Sequence, residues 1–336
     1  MKTDQVRVII IRCGALGDLV YATSVIDALK LQFGDDTTID FVCTPGSGTL
    51  FNADKRVNHI YSLKHKKVPI WLSSQKKDII KSSKENPYDF LINFEYGKQF
   101  KSLVNAIDAK QKIDAPDVLI PLNIEHMVDM TKYIFKSIVS DEVFNKSFPR
   151  IIGTSKEEIK LKYNLSDKYI IISPSNSHQK RNIINYRAWE NENWKELIEK
   201  LSKDIQVVIV GNKGEYQFFN ILKPYPKGVI DLVGKTSLSD LIGVINGANG
   251  LVATDTGTAH MASAVDTEVF ALIGPTPASQ TGPYQSPTNK VHIISTNLDC
   301  SPCYKTDVMW NCKDNICMKQ ISVNRVFDSI KDSKII

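Results

Sequence analysis

The chain has 336 residues, which is long enough for two domains of ordinary size. Its hydrophobic fraction of 42% and its charged fraction of 24% are typical of globular proteins and exclude a disordered or collagen-like chain. No apolar run reaches the ~18 residues of a membrane span. The short apolar stretch near the N-terminus stops at Arg12 and lacks a signal-peptide cleavage site, so the sequence predicts a cytoplasmic protein.

The net charge of +5 is too small to indicate a nucleic-acid partner, but the charge is unevenly distributed. The segment from Asp54 to Lys84 carries nine basic side chains against two aspartates. The basic residues are Lys55, Arg56, Lys64, Lys66, Lys67, Lys76, Lys77, Lys81 and Lys84. Two interpretations are open: a solvated face, or a patch that attracts an anionic acceptor or an anionic membrane surface.

Short apolar, β-branched segments alternate with segments of helical periodicity along the chain. In the first half the predicted elements are strands at 6–12, 38–43, 89–94 and 118–120 and a helix at 19–33. In the second half they are strands at 169–173, 205–210, 229–233, 251–254 and 269–273, a helix at 194–201 and a helix capped by Ser237. A polar, lysine-rich linker at about 150–167 separates the halves. This order predicts two doubly wound α/β domains with a ligand-binding cleft between them.

A glycine-containing loop follows the first predicted strand and reads Gly14-Ala-Leu-Gly17-Asp18. It lies where a parallel sheet presents its carboxyl edge to ligands. The small residues would let a substrate approach the backbone, and the start of the next helix would keep Asp18 ionised. An ordinary helix N-cap is the alternative interpretation of Asp18. The loop lacks the Gly-x-Gly-x-x-Gly spacing, so a nicotinamide cofactor is not predicted.

A threonine-rich turn follows the predicted strand 251–254. The backbone N–H groups of Thr256, Gly257 and Thr258 would open the next helix, and such an opening binds phosphate or pyrophosphate. The two threonine hydroxyls would add donors. The alternative is a capped core helix in which His260 is a satisfied polar side chain.

Two other glycine-rich loops, at 211–215 and 274–284, leave predicted strands of the second half in the same way. In the later loop two prolines restrict the turn, and Thr276 would face a ligand. Together with the threonine-rich turn, these loops predict a nucleotide site in the second half.

Taken in order, these motifs resemble the glycosyltransferase family that contains the lipopolysaccharide heptosyltransferases. The set is Arg12-x-x-x-Leu16-Gly17-Asp18, Tyr88-Asp89-Phe-Leu-Ile-Asn, Ser173-Pro-Ser followed by Lys180-Arg181, Val233-Gly-Lys-Thr-Ser-Leu238, Asp255-Thr-Gly257 with His260, and Gly274-Pro-Thr276. It covers nearly the whole chain. The resemblance implies a GT-B fold of two Rossmann-like domains, here an acceptor-side domain at 1–155 and a donor-binding domain at 166–336.

The resemblance also implies an inverting transfer that needs no metal ion or other cofactor. Asp18 matches the catalytic base, with Arg12, Gly14 and Gly17 on the acceptor side. Lys180 matches a lysine near the donor phosphates, and Arg181 is a second candidate because the aromatic-proline pair that usually follows that lysine closely is missing here. The donor-binding residues that the resemblance implies are Asp255, Thr256, Gly257, Thr258, His260 and Thr276.

We therefore expect transfer of a sugar, most simply heptose from ADP-heptose, to an anionic saccharide of the lipopolysaccharide core. Peripheral contact with the inner membrane is expected, and a nucleic-acid partner is not. The alternatives are a family enzyme with a protein acceptor such as a surface adhesin, and a nucleotide-binding scaffold that has lost catalysis. The intact Asp18 and Asp255 argue against the scaffold.

Four cysteines fall within eighteen positions near the C-terminus: Cys300, Cys303, Cys312 and Cys317. In a cytoplasmic protein this spacing favours a metal over disulfides, and four thiolates would close a structural zinc or iron site. Reduced thiols packed in a loop are the alternative. A branch of the family that heptosylates autotransporter proteins resembles this pattern, which is the reason for considering a protein acceptor.

Overall fold

The computed structural model describes residues 5–174 and 185–336. The chain divides into two compact units, Met1–Gly153 and Thr154–Ile336. Each unit is built on a parallel sheet. In the part of the chain that is described, no helix combines the length and the apolar character needed to cross a membrane.

The first unit contains a parallel sheet with helices along its connections. The strands are β1 (Arg7–Ile11), β2 (Thr38–Cys43), β3 (His59–Ser62), β4 (Tyr88–Asn93) and β5 (Ala109–Asp114). The helices are α1 (Leu16–Ala22), α2 (Ser24–Phe33), α3 (Pro45–Gly48), α4 (Ser74–Glu85), α5 (Lys98–Ala106), α6 (Met127–Ile134) and α7 (Asp141–Lys146). The strand order is β3-β2-β1-β4-β5, and in register Val8 pairs with Ile39 on one side and Phe90 on the other. Because β1 is central, its residues 8–11 are fully buried, which explains its apolar sequence.

The second unit repeats this arrangement on a larger sheet. The strands are β6 (Tyr169–Ser173), β7 (Gln206–Ile209), β8 (Ile230–Asp231), β9 (Gly250–Thr254), β10 (Glu268–Ile273) and β11 (Val291–Ser295). The helices are α8 (Lys156–Tyr163), α9 (Asn191–Leu201), α10 (Tyr216–Ile221), α11 (Leu238–Gly247), α12 (Gly257–Ala262), α13 (Ala278–Thr281), α14 (Asp307–Asn311), α15 (Ile316–Lys319) and α16 (Val323–Asp332). The order β11-β10-β9-β6-β7-β8 brings the carboxyl ends of β10, β9 and β6 side by side. Two parallel α/β units are what the sequence predicted.

Two predicted elements have a different structure, and the strand expected at 229–233 is shortened to Ile230–Asp231. The helix expected at 19–33 is two helices that meet at Thr23, where the Thr23 hydroxyl donates to the Val20 carbonyl at 2.7 Å and competes with the helical ladder. The strand expected at 118–120 is wrong: this stretch is a loop in which Leu119 is 93% exposed. The strand in this part of the chain is β5, which lies at the edge of the sheet. Its Lys and Gln side chains interrupt the apolar pattern by which a buried strand is predicted.

The polar stretch expected to be a linker contains α8, which packs against α11 in the second unit. A single carboxylate on α11 collects three bonds from this stretch. The Asp240 carboxylate accepts from the Thr154 hydroxyl at 2.9 Å, from the Lys162 ammonium at 2.9 Å and from the Tyr163 hydroxyl at 3.0 Å. The stretch is therefore anchored to the second unit rather than free.

This anchor predicts a pH-dependent contribution to stability. Burial alone would raise the pKa of Asp240, but the hydrogen bonds from Lys162 and Thr154 and their neighbours lower it to about 2, against 3.8 for a free aspartate. Because the pKa is lower in the folded protein, the ionised carboxylate stabilises the fold above pH ~4 and loses that contribution as the pH falls towards ~2.

We expect Asp240→Asn to lower the free energy of unfolding by about 1–2 kcal/mol at pH 7, a value reduced for solvent screening because Lys162 is half exposed. About half of the difference should be lost at pH 3. Denaturant titrations of the wild type and of Asp240→Asn from pH 7 to pH 3 measure this difference in the free energy of unfolding. A difference that does not change with pH would contradict the role of the charge.

Candidate functional site

The loop after β1 places Asp18 at the third residue of α1. One carboxylate oxygen, Oδ2, accepts from the backbone N–H of Ala15 at 3.0 Å, and the other, Oδ1, lies 3.2 Å from a terminal nitrogen of Arg12. The helix N-cap is Ala15, so the interpretation of Asp18 as an ordinary N-cap is wrong. The side chain is nevertheless 39% exposed. The carboxylate is thus held in place but open to a substrate.

A second carboxylate, missed in the sequence, lies beside Arg12. Glu95 accepts from the backbone N–H of Cys13 at 2.7 Å and lies 3.7 Å from Nη1 of Arg12, which also donates to the Phe94 carbonyl at 2.8 Å. Glu95 follows the end of β4, and β4 pairs with β1, so the two strand ends bring Glu95 to the Asp18 loop. The available signal was a carboxylate directly after a predicted buried strand.

Gly14 has a steric reason to be glycine. A Cβ atom at this position would lie 2.6 Å from Oδ2 of Asp18. Gly14 therefore keeps room for the carboxylate. Gly17 lies one residue before Asp18, in the first turn of α1.

The second group of predicted site residues lies after β9. The helix α12 begins at Gly257 with Thr256 as its N-cap, where the sequence placed it. Asp255, just before this turn, is buried, and its Oδ2 lies 3.3 Å from a terminal nitrogen of Arg187. Its Oδ1 lies 3.6 Å from Nε2 of His260.

The charge of Asp255 decides what this cluster can bind. Burial would raise the pKa of Asp255, but His260, Arg187 and Thr276 together lower it, so the carboxylate is ionised at neutral pH. A buried anion repels a phosphate. Asp255 is therefore suited to holding and orienting Arg187 and His260, and a bound anion would meet those two side chains.

Four buried hydroxyls in the described part of the chain have no hydrogen-bond partner: Tyr225 and, at this edge of the sheet, Ser173, Thr254 and Thr276. Ser173 ends β6, Thr254 ends β9 and Thr276 follows β10, so all three lie at the carboxyl edge of adjacent strands. Thr276 is also near enough to Asp255 to lower the pKa of that carboxyl. The Thr276 hydroxyl nevertheless lacks the geometry of a hydrogen bond to it. A buried hydroxyl without a partner is unfavourable, which makes this edge a place where a polar ligand would be stabilised.

Not every predicted donor is available. The Thr256 hydroxyl donates to the main-chain carbonyl of Thr254 at 3.3 Å, so it serves the turn rather than a ligand. This hydrogen bond does not involve the backbone N–H groups of the turn. Lys180 and Arg181, the two expected phosphate contacts, lie outside the described residues.

Arg187, like Glu95, was not predicted from the sequence. Its Nη1 donates to the main-chain carbonyl of Asp255 at 3.3 Å as well as pairing with the carboxylate, and its guanidinium carbon lies 4.6 Å from the centroid of the Tyr304 ring. Two residues further on, the buried Trp189 donates from its indole nitrogen to the Ile321 carbonyl at 2.8 Å. The signal in the sequence was a cation two residues before a tryptophan that anchors the segment.

The four cysteines of the C-terminal segment lie near one another but unequally buried. Burial raises the pKa of the Cys303 thiol and raises that of Cys317 to about 11, and the neighbouring thiols add to both effects. Cys300 is exposed and Cys312 is partly exposed. Across residues 5–174 and 185–336, no group of three or more His, Cys, Asp or Glu side chains has the arrangement of a metal site.

Comparisons with known proteins agree with this architecture. The profile of "Glycosyltransferase family 9 (heptosyltransferase)" matches residues 115–313. Lipopolysaccharide heptosyltransferase 3 of Escherichia coli is 22% identical over 285 residues, which cover 77% of this chain and 81% of that protein.

Two solved structures show the fold. E. coli ADP-heptose LPS heptosyltransferase II superposes with a TM-score of 0.74 at 17% identity and covers 97% of this chain and 98% of its own. The dodecameric iron-containing heptosyltransferase TibC of E. coli, in complex with ADP-D-β-D-heptose, superposes with a TM-score of 0.60 at 14% identity and covers 99% of this chain and 77% of its own. These likenesses confirm the predicted GT-B fold. Because the family profile matches more than half of the chain, the chain belongs to glycosyltransferase family 9 and is a glycosyltransferase.

Proposed function

We propose that the enzyme transfers heptose from ADP-heptose to a saccharide of the lipopolysaccharide core, with inversion at the anomeric carbon and without a catalytic metal. The name of the E. coli relative supports the acceptor class, and the names of the two structurally similar enzymes support the donor. The observation that carries the proposal is the ionised Asp255, which holds Arg187 and His260 at the sheet edge where three buried hydroxyls have no partner among the described residues.

On the donor side, the diphosphate would meet Arg187, His260 and the N–H groups of the turn at Gly257. Negative charge builds up on the diphosphate as the sugar leaves, and prearranged cations and N–H donors stabilise that charge. Lys180 and Arg181 keep their proposed role as further phosphate contacts.

On the acceptor side, Asp18 would act as the general base. The acceptor oxygen forms its bond to the anomeric carbon, the bond from that carbon to the diphosphate breaks, and the proton of the acceptor hydroxyl goes to the Asp18 carboxylate. Attack from the side opposite the leaving group inverts the configuration. The bond to Ala15 and the ion pair with Arg12 keep the carboxylate oriented for this step.

The test is an assay of nucleoside diphosphate release with a panel of ADP-, GDP- and UDP-sugars, each with heptose-deficient lipopolysaccharide core or with an unglycosylated adhesin. We expect ADP release from ADP-heptose with the core saccharide, no effect of EDTA, and an inverted anomeric centre in the product's NMR spectrum. Transfer to the adhesin alone would favour the protein acceptor. ADP binding without turnover on any acceptor would favour the inactive scaffold.

We also propose that the first unit contacts an anionic membrane surface. The short helix Ile70–Leu72 leaves Trp71 70% exposed and Leu72 exposed beside it. The exposed lysines of the segment from Asp54 to Lys84 are Lys55, Lys64, Lys67, Lys77, Lys81 and Lys84. An exposed tryptophan flanked by lysines is the combination that binds the interface of an anionic bilayer.

Two lysines of this segment are unavailable for such contact. Lys76 is only 1% exposed, and its ammonium donates to the carbonyls of Lys66 and Val68, both at 2.8 Å. The ammonium of Lys66 donates to the Cys13 carbonyl at 2.8 Å. Both side chains hold the loop together, so their expected role in attracting an anion is wrong.

We expect the double variant Lys77→Glu/Lys81→Glu to bind vesicles containing phosphatidylglycerol at least tenfold more weakly, since each lysine near such a surface contributes about 1 kcal/mol. Co-sedimentation with these vesicles and with neutral phosphatidylcholine vesicles measures it. The matched control is Lys331→Glu/Lys334→Glu, which makes the same charge change on exposed lysines of the second unit. Equal binding by the two double variants would leave only a solvated face.

We propose, finally, that the four cysteines hold a structural zinc or iron ion. The donor set suits such an ion in type and number, and TibC is described as iron-containing. The described thiols are not in a ligand arrangement, so they would have to converge on the ion. No step of the transfer runs through this group.

Elemental analysis of protein purified without added metal should find about one equivalent of zinc and iron combined. Cys303→Ser/Cys317→Ser should lose the metal, and Cys43→Ser, a buried thiol of the first unit, should keep it. Chelation should lower the melting temperature, because metal binding adds to folding free energy. Less than about a tenth of an equivalent in the wild type would rule the site out.

A further inference from the structure

We propose that Tyr304 positions the donor-binding side chain Arg187, so that the cysteine-rich segment 300–317 sets the affinity of the donor site. The inference rests on the proposed function, because it assumes that Arg187 meets the donor diphosphate. It assigns Tyr304 a positioning role: the ring acts on the donor through Arg187.

The contacts of Arg187 carry this inference. Nη1 of Arg187 lies 3.3 Å from Oδ2 of Asp255 and donates to the main-chain carbonyl of Asp255, also at 3.3 Å. The guanidinium carbon lies 4.6 Å from the centroid of the Tyr304 ring. A guanidinium that lies over an aromatic face is attracted by the ring and loses freedom to rotate away.

Tyr304 is itself fixed to the donor side of the sheet. The backbone N–H groups of Cys303 and Tyr304 both donate to the Pro275 carbonyl at 2.9 Å, and the Ser301 hydroxyl donates to the Gly274 carbonyl at 2.6 Å. Pro275 directly precedes the buried Thr276. The cysteine-rich segment is therefore attached to the loop after β10, at the same edge as Asp255.

The same segment also holds the chain around Arg187. The side-chain amide of Asn315 donates to the Ala188 carbonyl at 3.0 Å, and the hydroxyl of Tyr186 donates to the Cys312 carbonyl at 3.4 Å. Both neighbours of Arg187 in the chain are thus tied to the cysteine-rich segment. A shift of the segment would move the arginine backbone and the ring together.

Tyr304 is partly exposed, at 37%, and it belongs to neither described core cluster. The ammonium of Lys305 also lies over the ring, 5.1 Å from its centroid. The guanidinium of Arg187 is the closer of the two cations.

The test uses three variants of the full chain and ADP as the probe. Tyr304→Leu should raise the ADP dissociation constant and the donor KM about tenfold, because an orienting cation–π contact is lost. The acceptor KM should stay within about twofold of wild type. Tyr304→Phe keeps the aromatic face and should restore donor affinity, and Lys305→Gln, which removes the other cation, should leave it unchanged. Calorimetry and initial rates measure these values.

A double-mutant cycle separates positioning from general stability. In an Arg187→Gln background, Tyr304→Leu should have almost no further effect on ADP affinity, since the cation that the ring positions is gone. An equal tenfold loss in both backgrounds would overturn the inference, as would a Tyr304→Phe variant as weak as Tyr304→Leu.

The outcomes distinguish this inference from the proposed function. If the wild type binds ADP and Tyr304→Leu binds it equally well, the positioning role is wrong and the function stands. If the wild type binds no ADP and releases none from ADP-heptose, the proposed function itself is wrong. Should Tyr304→Leu fold poorly in thermal melts, Tyr304→His keeps a smaller ring and should give an intermediate affinity, whereas an affinity equal to wild type would count against the inference.

Discussion

Replacing Asp18 by asparagine is expected to lower turnover at least a hundredfold, the effect usual for loss of a general base. Asparagine keeps the size of the side chain and an oxygen that can accept from the Ala15 N–H, but it cannot take the acceptor's proton. Donor affinity should change less than about twofold, because Asp18 belongs to the first unit and the proposed diphosphate contacts belong to the second. Initial rates of ADP release and calorimetry with ADP give the two values.

The control for this experiment is Asp35→Asn, which makes the same substitution at an exposed position after α2. Its turnover should equal that of the wild type. An Asp18→Asn enzyme within a few-fold of wild type would remove Asp18 from the role of base. Glu95, the other carboxylate beside Arg12, would then be the next candidate.

The second large effect is expected from Arg187→Gln, which should weaken ADP binding roughly tenfold to a hundredfold. Hydrogen bonds to charged groups contribute about 1.5–3 kcal/mol each, and glutamine supplies neither the charge nor the planar fork of donors. Calorimetry with ADP measures the loss. Arg325→Gln, at an exposed arginine of α16 in the same unit, is the matched control and should bind as the wild type does.

Arg187→Gln also leaves the buried carboxylate of Asp255 with less compensation, so a loss of stability must be separated from a loss of binding. The double variant Arg187→Gln/Asp255→Asn replaces the charged pair with a neutral one. We expect it to regain stability relative to Arg187→Gln in denaturant titrations while ADP binding stays weak. If binding returned together with stability, Arg187 would be only the structural partner of Asp255.

The described fold shows which strands a sequence pattern can find. The central strands β1, β4, β6, β9 and β10 have neighbours on both sides, so each is rich in buried apolar residues and was predicted within about a residue. The strands that were missed, misplaced or shortened to two residues all lie at a sheet edge: β3, β5, β8 and β11. An edge strand has only one neighbour and needs no apolar run, so its sequence resembles a loop.

The residues of the candidate site also fall into two groups: those that a local sequence motif predicts and those that only tertiary contacts bring to the site. Asp18, Asp255 and the turn at Gly257 each lie within a local motif, a strand followed by a small-residue turn and a helix, and such a motif is readable from consecutive residues. By itself the sequence therefore determined two parallel α/β units, the family resemblance and these strand-end residues.

Only the tertiary structure decided which other side chains join them. Glu95 reaches Arg12 because β4 pairs with β1, and Tyr304 reaches Arg187 because the cysteine-rich segment is attached to the loop after β10. These partners are far apart in the chain, and no periodicity or spacing encodes a contact between segments that meet only when the sheet forms. The same is true of Lys76, whose charge suggested a surface role until burial and two carbonyl acceptors showed that it holds a loop.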